Sequence, residues 1–467
     1  MNIRLFALTA ILASACASTP TALVDDREAV DLLISGGTVV TISGENIERG
    51  AVAVRRGEIV AVGPATEIED RFRGAERIDA TGSAILPGLV NAHTHAPMTL
   101  FRGIADDLAL MDWLQNYIFP AEASAVDEEF VRWGTRLAAA EMILSGTTTY
   151  ADMYYFEIAI AEETKRAGLR GVLGETLIDF PAPDNKTWED AIAYMRRFAA
   201  AFENDPLITP AVAPHAPFTV SKDHLEEVRA LATELGVPIL IHLAETEDEL
   251  RQVDEKYGVH PVDLLEQIGF LGDDVVGAHG VWLTPEQIDV LVRHRTGIVH
   301  NPESNMMLAS GVAPVTTMLE KNLETGLGTD GPAGSNNNLD MIEEMASAAR
   351  LQKVTSGDPR AISAEHVLRM ATLGGAEVLG LDDRIGSIET GKRADLIVID
   401  LSGPGIQPVY SVESAVVYAA NGSDVTHTIV DGKVLMRDRK LLTLDLPEIL
   451  AAAERYRESV LEIVGKD

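Results

Sequence analysis

The chain has 467 residues, enough for two or three domains or for one large barrel with an appendage. Hydrophobic residues make up 46% and charged residues 24%, and neither the 38 glycines nor the 21 prolines are in excess, so disorder, collagen and coiled coil are excluded as the main theme. Asp and Glu number 72 against 38 Lys and Arg, a net charge of −34 that repels phosphate over about a Debye length and argues against nucleic acid as a partner.

The first element is an export signal. Arg4 precedes an apolar stretch over residues 5–12, and Ala13, Ser14 and Ala15 place small residues before Cys16, the layout of a secretory signal peptide over residues 1–16. The run LASAC also resembles a bacterial lipoprotein cleavage box, whose cysteine takes the lipid; plain cleavage after Ala15 is the alternative. The expected address is therefore exported, periplasmic or lipid-anchored in the bacterial envelope, with membrane contact only through Cys16. Because Cys16 is the only cysteine, an intrachain disulfide and a cysteine-ligated zinc are both excluded. Beyond it no uninterrupted apolar stretch reaches the ~18 residues that span a bilayer.

Residues 31–85 are short β runs separated by glycine turns, as in DLLISGGTVVTISG and GAVAVRRGEIVAVG. The same texture returns in GSIETGKRADLIVIDL and AVVYAANGSDVTHTIVDGKVLMRD. Residues 25–85 and 385–440 are thus expected to build one small composite β-sandwich, followed over residues 441–467 by an amphipathic helix. Between the flanks, residues 86–384 alternate apolar β-like segments with helical stretches. The segments are ILPGLVNAHTH, TTTYADM, LRGVLGETLID, ITPAVAPH, PILIHLAE, VVGAHGVWL, GIVHNPESN and GLGTDGP. Eight such units predict an α/β fold of the (β/α)₈ TIM-like barrel type. An open doubly wound sheet would carry a Gly-rich phosphate turn after its first strand. His-Thr-His stands there instead.

The chemistry collects where barrels build active sites, at the C-terminal ends of these strands. His93 and His95 close the first segment and, two apart, fall on one face. His215 ends the fourth, His242 lies in the fifth, His279 in the sixth and Asp330 in the eighth. Imidazole nitrogen with a carboxylate and no thiolate suits Zn²⁺, Fe²⁺ or Mn²⁺. His224, His260, His294, His366 and His427 stand in helical, loop or appended β text and are read as structural.

PGLVNAHTH, IHLAET, a histidine after the next apolar strand and LGTDG resemble the amidohydrolase superfamily in its mononuclear deaminase branch. DDLALMDWLQNYIFPAE, APHAPFT, HNPESNMMLASG and GTDGPAGSNN are similar to methylthioadenosine/S-adenosylhomocysteine deaminases and related chlorohydrolase-type enzymes. That resemblance implies one divalent metal ion, zinc before iron or manganese, held by His93, His95, His242 and Asp330. It implies Glu245 as the proton shuttle, with His279 and Asp330 assisting catalysis. It further implies Glu122 and His215 as contacts to sugar and base, with Glu245 beside them. The expected function is hydrolytic deamination of an adenosine-type nucleoside: 5′-methylthioadenosine, S-adenosylhomocysteine, 5′-deoxyadenosine or adenosine. Another amino- or halo-substituted N-heterocycle, or a cyclic amide, is the alternative substrate, and an exported metal-containing binding protein without turnover is the alternative class. The partner is a small molecule, and homo-oligomerisation is left open. The stretch GETLIDFPAPDNKTWED, with Glu175, has no arginine to clamp an amino-acid tail, and Lys186 is the candidate point charge in its place. Trp113 and Phe119 read as core more readily than as pocket wall.

Overall fold

The computed structural model describes residues 25–464, so the predicted export segment and Cys16 lie outside the described residues. Eight parallel strands occupy the eight predicted segments: β1 (Leu89–Thr94), β2 (Thr147–Tyr154), β3 (Arg170–Leu177), β4 (Ile208–Pro214), β5 (Ile239–Leu243), β6 (Val275–His279), β7 (Gly297–His300) and β8 (Thr325–Leu327). They pair in sequence order, and a bridge between Thr94 and Asp330 closes the last strand onto the first. Asp330 N–H donates to the carbonyl of His93 at 3.0 Å across that seam. Gly328 is needed there, because a Cβ would fall 2.7 Å from the backbone nitrogen of His93.

Each strand is buried on both faces, which is why these segments read as nearly continuous apolar runs. Small and branched residues, among them Ala92, Ala151, Val172, Ala211, Val276 and Val299, fill the barrel interior. Ala376, Val378 and Leu381 belong to the same cluster and plug the end away from the histidines. Helices such as Lys222–Leu235 and Pro285–His294 form the outer layer, as their apolar spacing requires.

The flanking segments form two further sheets. One has four strands, Glu28–Ser35, Gly50–Arg55, Glu58–Pro64 and Phe72–Asp79. The other has six, and in it Ser83–Pro87 pairs antiparallel with Leu396–Asp400, joining the two ends of the chain. Leu32, Ile34, Val52, Ile85, Leu396 and Ile429, from both sheets, share one core. This composite sandwich is fastened to the barrel by Arg170 at the start of β3. Its guanidinium, buried, holds Asp395 in a bidentate pair at 2.8 and 3.1 Å. Helix Leu446–Val464 packs on helices Phe119–Ala125 and Glu128–Ser145. Among the described residues no helix is long and apolar enough to cross a membrane.

Candidate active site

The predicted ligands converge at the C-terminal mouth of the barrel. Atoms of His93, His242, His279 and Asp330 able to hold a metal all lie within 4.8 Å of one another. His95, one residue beyond β1, joins them, with Nε2 3.2 Å from Asp330 Oδ1 and 3.3 Å from His242 Nε2. Three residues at or just beyond strand ends take left-handed backbone to aim side chains or neighbours inward: Ala244 (φ 52°), His279 (φ 75°) and Asp330 (φ 64°). Such conformations cost roughly 1–3 kcal/mol each and persist where surrounding structure enforces them.

Hydrogen bonding sets the direction of each ring. His95 Nδ1 donates to the carbonyl of Met153 at 2.6 Å, and His242 Nδ1 donates to the carbonyl of His215 at 2.8 Å. A carbonyl can only accept, so each neutral ring carries its proton on Nδ1 and turns the Nε2 lone pair into the cluster. Two such lone pairs 3.3 Å apart repel unless a cation lies between them. The Nε2 of His93 is buried and has no hydrogen-bond partner, and it lies 3.2 Å from Asp330 Oδ1. Burial pushes His93 down to about 4 and His242 well below the usual histidine range, keeping both rings neutral. Burial alone would raise the Asp330 carboxyl, but the imidazoles of His93 and His95 hold it well below its ordinary value. Burial likewise works against a charge on His95, yet the Asp330 carboxylate raises it to about 9, so the cluster draws positive charge, from a proton or a metal ion. Ser304 Oγ donates to Asp330 Oδ2 at 2.7 Å, which leaves Oδ1 facing the histidines. Neutral imidazoles, one ionised carboxylate and an orphaned buried nitrogen fit a divalent ion.

Glu245 follows β5 by two residues and is buried; its Oε2 lies 3.8 Å from His279 Nε2. Its backbone N–H donates to Glu249 Oε2 at 2.8 Å, fixing the turn that aims it at the cluster. Burial raises its carboxyl above the ordinary value. His279 is set by Asn305, whose Oδ1 lies 3.0 Å from His279 Nδ1.

A pocket opens over the cluster. Glu122, on helix Phe119–Ala125, lines it and is buried. Burial raises that carboxyl to about 7, against the pull of the facing Tyr154 hydroxyl. His215, directly after β4, also lines the pocket, with Nδ1 2.9 Å from Thr219 Oγ1; burial pushes it down to about 3. Trp113 and Phe119 line the pocket as well, while Trp113 also belongs to the hydrophobic core and Phe119 packs against it, so both roles are filled by the same side chains. Trp113 Nε1 donates to the carbonyl of Ala333 at 2.8 Å, pinning the 110–125 segment across the mouth. Lys186 does not serve the pocket: its ammonium donates to the carbonyls of Ala182 and Pro183 at 2.7 and 2.9 Å. Glu175 is fully buried and turns away, accepting from Asn185 Nδ2 at 2.9 Å.

Ser304 and Asn305 were not singled out in the sequence, although HNPESN contains both. His300, which ends β7 fully buried with neither ring nitrogen partnered, escaped notice too. Its place at a strand end was the available signal. His224, read as structural, stacks on Trp188 at 3.9 Å and bonds Asp179 at 2.7 Å.

Residues 84–435 match the amidohydrolase family. The 5-methylthioadenosine/S-adenosylhomocysteine deaminase of Syntrophobacter fumaroxidans is 50% identical over 429 residues, 91% of this chain and 97% of that protein. The 5′-deoxyadenosine deaminase of Methanobrevibacter smithii is 44% identical over 420 residues, 89% of this chain and 94% of that one. A crystal structure of an adenosine deaminase from Xanthomonas campestris with bound zinc superposes with a TM-score of 0.92 at 42% identity, covering 93% of this chain and 100% of the other. Family match, near-full-length relatives and barrel architecture agree, and the chain belongs to the amidohydrolase family.

Proposed function

We propose that this protein is a metal-dependent aminohydrolase that deaminates an adenosine-type nucleoside. The single observation that carries the reading is the pair of inward imidazole Nε2 atoms, of His95 and His242, 3.3 Å apart beside the Asp330 carboxylate, with Glu245 within 3.8 Å of the neighbouring His279. His93, His95, His242 and Asp330 would hold the ion, with zinc favoured by the bound zinc of the 42% identical adenosine deaminase. A divalent ion at such a site acidifies water to near-neutral pKa and so supplies hydroxide.

The chain's own groups do the rest. Glu245, desolvated and raised, takes a proton from the attacking water and delivers it to a ring nitrogen, which makes the amino-bearing carbon electrophilic. Water oxygen adds to that carbon, its remaining proton passes by way of Glu245 and His279 to the amino nitrogen, the C–N bond breaks, and ammonia leaves. The oxo heterocycle remains. Glu122 accepts from ribose hydroxyls, and neutral His215 meets the base. Leu110, Leu114, Ile118 and Phe119 on the pocket wall, with no lysine or arginine among the lining residues, support a small apolar 5′ group over an amino-acid tail. The names of the relatives, which include deaminases of 5-methylthioadenosine and 5′-deoxyadenosine, support the same class.

The test is ammonia release by the purified mature protein, loaded with zinc or manganese, against adenosines, guanine, cytosine, pterins and aminotriazines. Turnover of 5′-modified adenosines is the expected result. Turnover elsewhere discards the nucleoside pocket and keeps the metal chemistry, and silence from metal-loaded protein leaves an amide hydrolase or a binding protein. Export and lipidation at Cys16 form part of the proposal, supported by the LASAC run. Labelled palmitate should enter the protein in cells, and unchanged processing under a lipoprotein signal-peptidase inhibitor removes the anchor.

A further inference from the structure

His95 is held by two consecutive residues of β2. The carbonyl of Met153 accepts from the His95 ring at 2.6 Å. Asp152, fully buried, places one oxygen, Oδ1, against both chain neighbours of His95: it accepts from Thr94 Oγ1 at 2.8 Å and from Ala96 N–H at 2.6 Å. Ring and backbone of His95 are thus fixed from one place on the adjacent strand.

The second oxygen of Asp152 explains why the clamp holds. Asp152 Oδ2 and Glu157 Oε2 are buried and meet no N–H or hydroxyl donor. Burial raises both carboxyls, and the neighbouring Asp152 raises Glu157 further. Two desolvated carboxylates so placed cannot both ionise, so a proton lies between them. Glu157 is fixed in turn. Its Oε1 accepts from Tyr154 N–H at 3.1 Å, and its own N–H donates to Glu175 Oε2 at 3.3 Å. The brace continues to the loop after β3, where Asp184 accepts from Phe156 N–H at 2.8 Å. Glu175, which stands where a clamp for substrate was sought, serves this brace.

We propose that Asp152, braced by the Glu157 carboxyl, is the positioning residue that sets His95 for the metal ion, so that metal affinity depends on a carboxyl pair that never touches the ion. The inference rests on the metal-dependent reading above. It is specific about atoms: Oδ1 of residue 152 must accept, and residue 157 must donate to residue 152 or accept from it. Asn at 152 keeps the acceptor and turns its amide to Glu157; Gln at 157 keeps its bond to Tyr154 N–H and donates to Asp152.

The experiment is zinc competition against a chromophoric chelator for the purified protein and four variants, with thermal melts of each in metal-free form. Asp152→Ala and Glu157→Leu are expected to weaken zinc by about 10–100-fold, the range for loss of an outer partner of a ligand. Asp152→Asn and Glu157→Gln are expected to lose less than about tenfold. A merely structural role would lower the melting temperatures and leave the zinc affinity of the folded protein at the wild-type value, and that result overturns the proposal. Should Asp152→Ala not fold, the contrast between Glu157→Leu and Glu157→Gln decides: equal zinc affinity in those two sinks the idea. A wild-type protein that takes up no zinc, manganese or iron overturns the metal reading itself, and this inference with it.

Discussion

Glu245 and Glu122 are both buried carboxyls in one pocket, yet their settings assign them different tasks. Glu245 sits beside His279 and the cluster, so Glu245→Gln should lower kcat by about 10²–10⁴, the span of general acid–base contributions, while zinc content and melting temperature stay near wild type. Steady-state kinetics with metal analysis checks this; unchanged kcat would remove Glu245 from the chemistry. Glu122 is raised to about 7 by burial. A carboxylate that accepts from sugar hydroxyls binds them better when ionised, so bound substrate lowers its pKa. KM for a nucleoside should therefore fall as pH rises through about 7, and Glu122→Gln should abolish that limb and raise KM at high pH by about tenfold or more, as loss of a charged hydrogen bond implies. In the free protein the sign is opposite: a folded pKa raised above the ordinary 4.5 contributes stability below that value that is lost as pH rises through about 7. The convergence of HTH, IHLAE and GTDG was legible in the sequence because strand ends of a barrel face one mouth, whereas the choice of ligands among them came from the family resemblance. Asp152 was not legible. It stands inside TTTYADM as one polar letter in an apolar run, and nothing local says that its carboxylate brackets a histidine 57 residues earlier in the chain.

Barrel strands announce themselves by length and apolar content, and all eight overlap the segments read from the sequence, with Thr147–Tyr154 and Thr325–Leu327 each reaching one residue beyond. The segment DDLALMDWLQNYIFPAE was harder. Its pattern is helical, but it folds as two short α-helices around a π turn at Leu114–Ile118, and its apolar face covers a cavity while also joining the core. Periodicity cannot tell those two burials apart, since both exclude water. Trp113→Phe removes the bond to Ala333 worth about 0.5–1.5 kcal/mol, so KM should rise by up to about tenfold with metal content intact. The contact between sandwich and barrel was equally hidden, because Arg170 and Asp395 are 225 residues apart. Asp395→Ala strands a buried guanidinium and should cost about 3–5 kcal/mol in urea unfolding. Replacing both partners by apolar residues should recover most of that loss, since the desolvation cost disappears with the charges. A single-variant cost below about 1 kcal/mol would mean that the pair is no more than a surface bridge.

At the scale of the whole molecule, a net charge of −34 surrounds a pocket lined by Glu122, Glu245 and Asp330 without a lysine or arginine. The repeated β texture at both ends of the sequence foretold a composite sandwich, but not that Ser83–Pro87 would be the strand that stitches the halves, because pairing across some 300 residues of chain leaves no local mark. Charge, by contrast, is visible in the sequence and acts at long range. It selects against anionic substrates by an energy that salt screens, with a Debye length falling from about 30 Å at 0.01 M to about 3 Å at 1 M ionic strength. A neutral nucleoside feels little of this field, so its kcat/KM should stay nearly constant as salt is raised across that range. A 5′-phosphorylated adenosine should be a poor substrate at low salt and should improve as salt increases. The reverse dependence, with the nucleotide preferred at low ionic strength, would require a cation at the mouth of the pocket that the lining residues do not supply, and would move the proposed substrate class from nucleosides to nucleotides.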